Sequence, residues 1–407
     1  MEAHAQSVEN HLIEGLDFSL GAGANYVTDR RSVSFFPQGG DYYSPTGVKV
    51  IKIGLNGDSW LDPSTVKLLF EIHNLDGTSA LNPVGQPHVF FRRLRVMCGG
   101  VLLEDIDHYN RTHELFETCT ASHHRSNLGI EGFGIGANEN IPANSHRVVA
   151  MSLLSGILNQ PKYLPIRYCP ITIELELVST PAIAVQSDAS TNFVIRNVQL
   201  KADVITLDNA IDNDYASHLL QGKSLPINFS TYTTLSQVAN ASEVNLNISR
   251  ALTRIKALFL TMVRTGDLTV SRTEANYFFH AMDGTYNPNN EVSIEVQLGS
   301  SRFPTYPIQS QAEAFYQLRK TLGMHSSAFH SLDITPVEYR RDKFIVGIDF
   351  EKVLDRAFTG YSSKAGDLLT VKMKNTGMAN TDSGLVFTHL MFDSIMSIND
   401  TGIQVYD

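Results

Sequence analysis

The chain has 407 residues, of which 43% are apolar, and its 32 basic against 42 acidic side chains leave a formal charge of -10. This length favours two domain-sized cores over one, and the acidic balance argues against direct packaging of naked nucleic acid. The longest apolar runs fall far short of the roughly 20 residues that a membrane-spanning helix needs, so we expect no transmembrane segment.

The first fifteen residues, MEAHAQSVENHLIEG, lack the basic start and the apolar stretch of a secretory signal. The cysteines, Cys98, Cys119 and Cys169, are a sparse and odd-numbered set, which does not suit a disulfide framework. We therefore expect the protein to be made in a reducing, intracellular compartment.

The first half of the sequence contains short runs of alternating apolar and polar residues, which are typical of β-strands. After a loose N-terminal arm expected over residues 1–32, these runs predict strands at residues 33–36, 48–53, 66–73, 89–97 and 101–106. Gly99 and Gly100 supply the positive φ of a tight hairpin turn between the last two strands. A helix follows, opened by Asp107, with helical spacing of Tyr109, Thr112, Phe116 and Cys119.

Residues 122–144 are rich in His, Gly, Asn and Ser, and this composition predicts a long surface loop. Strands resume at residues 147–154, 166–178 and 193–207. Asp208 is then placed to cap a short helix, and Gly222 stands where a helix C-cap glycine belongs. We expect residues 209–224 to connect two structural units.

The second half repeats the same order of elements. Strands are predicted at residues 226–229, 244–248, 255–263, 277–281 and 291–298, with a turn at Gly299. Ser310 and Glu313 form a capping box in front of a helix that Gly323 ends. Further strands are predicted at residues 344–350, 368–373 and 385–398.

The two halves therefore share one element order, and their helices begin near Asp107 and Ser310, about two hundred residues apart. Strands of regular spacing without alternating helices favour β-sandwiches, and about eight strands per unit favour jelly rolls. We predict an all-β protein of two tandem eight-stranded jelly rolls, each with a short inserted helix. The first covers residues 33–208 and the second residues 225–407.

The stretch GDSWLDPSTVKLLFEIHNLDG, residues 57–77, resembles a segment of double jelly-roll major capsid proteins from polinton-like viruses, virophages and related double-stranded DNA viruses. In that family an aromatic residue, Leu or Ile, Asp and a Ser or Thr precede an alternating strand that ends in Asp-Gly. The matching residues here are Trp60, Leu61, Asp62, Ser64, Thr65, Asp76 and Gly77. Residues 92–110, RRLRVMCGGVLLEDIDHYN, are similar to the family's next strand pair and helix.

This resemblance implies a structural protein without catalysis or cofactor. It implies a homotrimer with a pseudo-sixfold outline that tiles an icosahedral shell around a DNA genome and is located in the virion after assembly in the host cell. Its expected partners are copies of itself, neighbouring capsomers, and minor capsid and vertex proteins, without sequence-specific binding of nucleic acid. In such a protein we expect Trp60 to be a buried anchor.

A different class, a β-sandwich protein that binds or cleaves carbohydrate, is the alternative hypothesis. Glu174 and Glu176 lie two apart on a predicted strand and so share a face, as a pair of catalytic carboxylates could. Against this, the segment ITIELELV has the alternation of any half-exposed strand, and the chain offers a single tryptophan as a sugar-stacking platform.

Two further groups of residues suggest binding chemistry. Cys119 with His113, His123 and His124 offers thiolate and imidazole ligands that suit zinc, but the spacing matches no standard ligand pattern, so we expect no metal site. Basic residues stand in strand-like segments of the sequence, and we expect them to form inter-subunit ion pairs with acidic residues such as Glu104 and Asp105. These basic residues are Arg92, Arg93, Arg95, Arg340 and Arg341.

Overall fold

The computed structural model describes residues 26–133, 140–186, 189–264, 291–324, 332–341, 343–353, 359–364, 367–376 and 384–407. The predicted strand at residues 277–281 lies outside these ranges. Within them, the free cysteines predicted from the sequence are all buried: Cys98, Cys119 and Cys169.

The first half of the chain forms two four-stranded antiparallel sheets. Its strands are β1 (Val27–Phe35), β2 (Val50–Leu55), β3 (Trp60–Asn74), β4 (Phe91–Cys98), β5 (Val101–Ile106), β6 (His146–Met151), β7 (Ile171–Leu177) and β8 (Phe193–Leu207). One sheet has the order β1-β8-β3-β6 and the other β2-β7-β4-β5. Helices α1 (Tyr109–Thr118) and α2 (Ser122–Asn127) follow β5.

Helix α3 (Asn209–Leu220) leads into the second half. Its strands are β9 (Leu225–Ala239), β10 (Val244–Ile248), β11 (Ile255–Arg264), β12 (Ser293–Leu298), β13 (Ser301–Arg302), β14 (Ile345–Asp349), β15 (Leu369–Lys374), β16 (Gly384–Asn399) and β17 (Gly402–Tyr406). Helices α4 (Gln311–Thr321) and α5 (Pro336–Arg341) follow β13.

The two halves have the same topology. In the second half β16 lies between β9 on one side and β11 on the other, and β14 extends the sheet beyond β11. The facing sheet has the order β10-β15-β12-β13. Strand for strand, this repeats the order of the first half, with β17 added beside β16. The prediction of an all-β protein with two tandem jelly rolls is confirmed.

Each sandwich is held together by the apolar face of its strands. In β7, every second residue from Ile171 to Leu177 is buried, while Thr172, Glu174 and Glu176 are half-buried on the opposite face. Because alternate side chains point to opposite faces of a strand, each sheet presents one apolar face to its partner.

The predicted β4–β5 turn and the ends of α3 and α4 are present in the structure, whereas α1 is not capped by Asp107 but preceded by His108 in the left-handed region, with no side-chain cap. Gly99 and Gly100 have φ values of 54° and 83° in the β4–β5 hairpin. The Asp208 carboxylate accepts a hydrogen bond from the Ala210 N–H at the start of α3. Ser310 caps α4 by accepting from the Glu313 N–H, and Gly323 has a φ of 72° after the helix.

Three strands extend well beyond their predicted bounds, each for a physical reason. β1 begins at Val27 rather than Val33, because residues 27–32 pair with β8 while their side chains stay largely exposed and show no alternation. β3 begins at Trp60 rather than Val66, and its pairing with β8 shifts register between Asp62 and Lys67, where a proline is tolerated. β9 continues to Ala239 because it pairs with β16 along its whole length.

Several elements were not predicted, among them β13. The segment 122–144, expected to be a loop, contains α2, and a buried Phe133 anchors it against Phe90. Arg340 and Arg341 lie in α5 rather than in a strand. β17 was missed because its backbone pairing with β16, not an apolar pattern, defines it.

Helix α1 joins the two jelly rolls. It belongs to the first half of the chain, yet Leu115 and Cys119 are buried in the apolar core of the second. Phe116 contacts Tyr232 and Phe259 of the second jelly roll at ring-centroid distances of 4.9 and 5.5 Å. In the opposite direction, the second half contributes Ile227, Phe229, Met396 and Ile398 to the first core.

A buried polar network accompanies this contact. The Thr112 hydroxyl of α1 lies 2.7 Å from the Thr234 hydroxyl and 3.1 Å from His389 Nδ1, and Thr261 lies 3.2 Å from His389 Nε2. Both imidazole nitrogens of His389 therefore have a hydroxyl partner. Burial, assisted by the nearby Arg111, lowers the pKa of His389 to about 3.

We predict a specific acid sensitivity from His389. An unfolded histidine binds a proton near pH 6.5, whereas the folded pKa is about 3, so the unfolded state binds more protons between these values. Stability then falls as the pH is lowered through this window, by up to about 1.4 kcal/mol per pH unit. Denaturant unfolding at pH 7 and pH 5 measures the loss.

The matched variant is His389→Gln, which retains a donor and an acceptor but does not titrate. The difference in unfolding free energy between pH 7 and pH 5 should shrink by about 2 kcal/mol in this variant. An identical pH dependence in both proteins would show that His389 is not the acid-sensitive group.

Candidate functional site

The two glutamates considered as a catalytic pair lie on the outer face of the β2-β7-β4-β5 sheet. Glu174 contacts Lys52 Nζ at 3.2 Å on one neighbouring strand and Arg95 Nη1 at 3.9 Å on the other. Glu176 is paired in register with Val50 and Arg93. This arrangement is a cross-strand charge ladder on a half-exposed sheet, not a cleft.

The arginines of β4 pair with acidic residues of the same chain. Arg93 makes a two-pronged contact with Asp105 at 2.7 and 2.6 Å, and Arg92 lies 3.3 Å from Asp107. Asp105, expected to pair with these arginines between subunits, is thus already paired within its own chain. The reason is the β4–β5 hairpin, which places Arg95 opposite Asp105 on neighbouring strands.

Glu104, the other expected partner, has a different role. It is buried at the boundary between the jelly rolls, where it accepts hydrogen bonds from the Ser155 hydroxyl and from the Gly156 N–H, the latter at 2.7 Å. Burial raises the pKa of Glu104, although these hydrogen bonds oppose the shift. Gly156 lies so close to Ser230 of β9 that a Cβ atom there would stand 1.9 Å from the Ser230 carbonyl oxygen.

A groove of about 630 Å³ runs beside this boundary. The first jelly roll lines it with Pro63, Ser64, Val66 and residues of the segment 152–162, and the second with Asn228, Phe229, Ser230, Tyr232 and Met391. The described residues that line it include no carboxylate, histidine or cysteine. The groove therefore lacks the two acidic groups that glycoside hydrolysis requires.

Of the residues considered as zinc ligands, Cys119 and His113 lie in different surroundings, and the side chains of His123 and His124 lie outside the described part of the chain. Cys119 lies in the core of the second jelly roll, where burial raises the pKa of its thiol to about 12. His113 instead stacks on His88, with ring centroids 4.2 Å apart. His88 and Glu117, which lie beside His113, were not identified from the sequence. The sequence did contain one signal for Glu117, because residues four apart, such as His113 and Glu117, share a helix face.

Trp60 is buried as predicted, with 7% of its surface exposed. It forms a small apolar cluster with Ile205 and Leu207, separate from the two main cores. Its ring contacts Tyr215 of α3 at 4.8 Å, and its Nε1 donates to Asp212 Oδ1 of the same helix at 3.4 Å. Trp60 therefore anchors the connecting helix and offers no open face to a sugar.

Large apolar side chains are exposed on the connection between β1 and β2. Phe36 is 62% exposed and Val48 60%, and Tyr42 and Val50 in the same segment are also exposed. Clustered exposed apolar residues typically mark a contact surface. Among the described residues, no helix combines the length and apolar character needed to cross a bilayer.

Together, the two interlocked sandwiches define the double jelly-roll fold. The structure of PBCV-1 VP54, fitted into a reconstruction of the virophage Sputnik, superposes with a TM-score of 0.66 at 11% identity, covering 96% of this chain and 99% of that chain. A chain of the Sputnik virophage structure gives a TM-score of 0.56 at 11% identity, covering 97% of this chain and 92% of its own. The mavirus major capsid protein gives 0.54 at 10% identity, with coverages of 96% and 92%.

At the level of sequence, no protein-family model and no curated protein matches the chain. The likeness is therefore one of fold. It agrees with the resemblance seen in residues 57–77.

We predict that Gly156→Ala destabilises the boundary between the jelly rolls. The new methyl group would collide with the backbone of Ser230, and overpacking of this kind costs about 3 kcal/mol. Gly57→Ala is the matched control, because its nearest atom, Ile166 Cδ1, would be at an ordinary contact distance of 3.5 Å. Urea unfolding should separate the two variants, and equal midpoints would contradict the close approach.

Trp60→Ala should lower the free energy of unfolding by about 3–5 kcal/mol, as for other large-to-small core substitutions. Trp60→Phe, which keeps one aromatic ring but loses the fused ring and its Nε1 donor, should cost less, about 1–3 kcal/mol. Circular dichroism during denaturation measures both. In the unmodified protein, an aqueous quencher should reach Trp60 poorly; strong quenching relieved by an oligosaccharide would instead favour carbohydrate binding.

Proposed function

We propose that this chain is a major capsid protein that forms homotrimers of pseudo-sixfold outline and tiles an icosahedral shell around a DNA genome. The observation that carries the proposal is the correspondence of both jelly rolls, over 96–97% of this chain, with the PBCV-1, Sputnik and mavirus structures. A general likeness between β-sandwiches would match one unit, not two in tandem.

The division of the chain supports this assembly. We assign residues 33–208, extended to Val27 by the start of β1, and residues 225–407 to the two jelly rolls, with 209–224 as their connection. Three copies would then place six sandwiches of equal topology around one axis. In a cyclic trimer, each contact surface is paired with its complement on the next copy, so the assembly is closed.

The exposed apolar connection between β1 and β2 fits contact with a second copy of this chain. The outer face of the neighbouring β2-β7-β4-β5 sheet is occupied by ion pairs within the chain, such as Arg93 with Asp105. Phe36 and Val48, in contrast, remain largely exposed in the part of the chain that the structure describes. Burying such side chains between copies removes apolar surface from water.

The same proposal covers location and partners. We place the protein in the virion after synthesis in the host cell, in contact with neighbouring capsomers and with minor capsid and vertex proteins. Sequence-specific recognition of nucleic acid is not part of the function, in keeping with the net charge of -10. The carbohydrate hypothesis gains no support, because Trp60 is buried and Glu174 is paired with Lys52.

The purified protein should have a mass of about 135 kDa in solution, three times the 45.0 kDa of one chain. Light scattering measures this mass, and electron micrographs should show particles of hexagonal outline. The double substitution Phe36→Lys and Val48→Lys should yield folded monomers. Leu220→Lys is the control, since Leu220 is 83% exposed but lies outside this segment. A monomeric unmodified protein at micromolar concentration would overturn the proposal.

A further inference from the structure

Two histidines and a glutamate meet where α1 packs on the short 3-10 helix Pro87–Phe90 that precedes β4. His88, His113 and Glu117 each offer one ligand atom, and these atoms all lie within 4.8 Å of one another. Glu117 Oε1 is 3.8 Å from His88 Nδ1 and 3.5 Å from His113 Nδ1. Ligands bound 2.0–2.1 Å from a tetrahedral zinc ion stand about 3.3 Å apart, so the carboxylate already has nearly this spacing to both rings.

The hydrogen bonds around the rings leave the two Nδ1 atoms free to bind a cation. His88 Nε2 lies 2.9 Å from Glu114 Oε2, and His113 Nε2 lies 3.4 Å from the Ser152 carbonyl oxygen. Both acceptors require a proton on Nε2, so each neutral ring carries its lone pair on Nδ1. A carboxylate or carbonyl behind the ring is the usual orienting group for a histidine that binds a metal.

The Nδ1 atom of His113 is an unsatisfied buried polar atom within the described structure. It is buried and makes no hydrogen bond to any described residue, which is costly for a polar atom. His88 itself is only 1% exposed.

A cavity of about 60 Å³ adjoins the three side chains and is also lined by Gln86, Glu131 and Ser152. This volume accommodates an ion and a water molecule. The two imidazole planes are stacked within 14° of parallel, so one ring must turn for the lone pairs to converge. The cavity provides the space for that rotation.

We propose that His88, His113 and Glu117 bind one Zn²⁺ ion, or a divalent transition metal of similar preference, with water as the fourth ligand. Two imidazoles and one carboxylate are a donor set of zinc proteins, whereas Mg²⁺ and Ca²⁺ prefer oxygen ligands alone. The ion would tie α1 to the segment before β4, and α1 is the helix that enters the second jelly roll. Its role is therefore structural.

The test uses the full-length protein after treatment with a chelator. Zn²⁺ should bind at one ion per chain by mass spectrometry of the dialysed protein and should raise the thermal unfolding midpoint, while Mg²⁺ should do neither. Glu117→Gln keeps the shape of the side chain and removes a buried charge, so this variant should fold. Its zinc affinity should fall about 100-fold or more, the upper end of the loss expected for an altered metal site. Glu114→Gln should weaken binding roughly 10-fold.

The chain provides a matched control in a second stacked pair, His73 and His146, with centroids 4.7 Å apart beside Glu71. This pair is more exposed, and His146→Asn should leave zinc affinity unchanged. Zinc binding that is lost in His146→Asn but kept in Glu117→Gln would overturn the proposal, as would the absence of binding in the unmodified protein. The site does not depend on the capsid proposal, because metal content and trimer mass are separate measurements.

Discussion

The placement of α1 across the boundary between the two sandwiches is the contact on which the rest of the molecule depends. A jelly roll can bury its own apolar faces, but α1 has to bury Leu115 and Cys119 in a core supplied by the other half of the chain. The Thr112–Thr234–His389 hydrogen bonds then fix where the helix sits. Buried polar groups of this kind specify one arrangement because each needs its partner.

On the other side of the same boundary, Glu104 and Gly156 make the approach of β9 equally specific. A glycine is required where the Ser230 backbone comes this close, and the buried Glu104 carboxylate fixes the loop that carries that glycine. The two jelly rolls thus behave as one unit with a defined angle between them. A fixed angle would suit the proposed assembly, in which many copies tile one surface.

Parts of the fold were readable from the sequence because one face of the element is buried and the other is not. β3 and β7 alternate clearly for this reason, and the ends of α3 and α4 follow from the capping residues Asp208 and Ser310. β1 and β17 were misjudged or missed because backbone pairing defines them while most of their side chains remain exposed. Local pattern carries no information about such pairing.

The candidate sites were harder to predict for a related reason. The burial of Trp60 followed from its chemistry, but its partners Asp212 and Tyr215 come from a helix about 150 residues further on. Likewise, His113 was noticed as a possible ligand while His88 was not, since only the fold places a 3-10 helix against α1. The pairing of Arg93 with Asp105 was open to prediction, because a hairpin brings the two strands together.

The position of α1 also bears on how the chain is made. The second core, in which Cys119 is buried, includes Phe392, which a ribosome adds roughly 15–50 s after Cys119 at 5–20 residues per second. Until the second half has been synthesised, the apolar side of α1 stays exposed and β9 lacks its pairing partner β16. Contacts so distant in sequence slow folding and prolong the exposure of apolar surface. We therefore expect chaperones to bind the first half of the chain during synthesis, and its solubility to depend on synthesis of the second half.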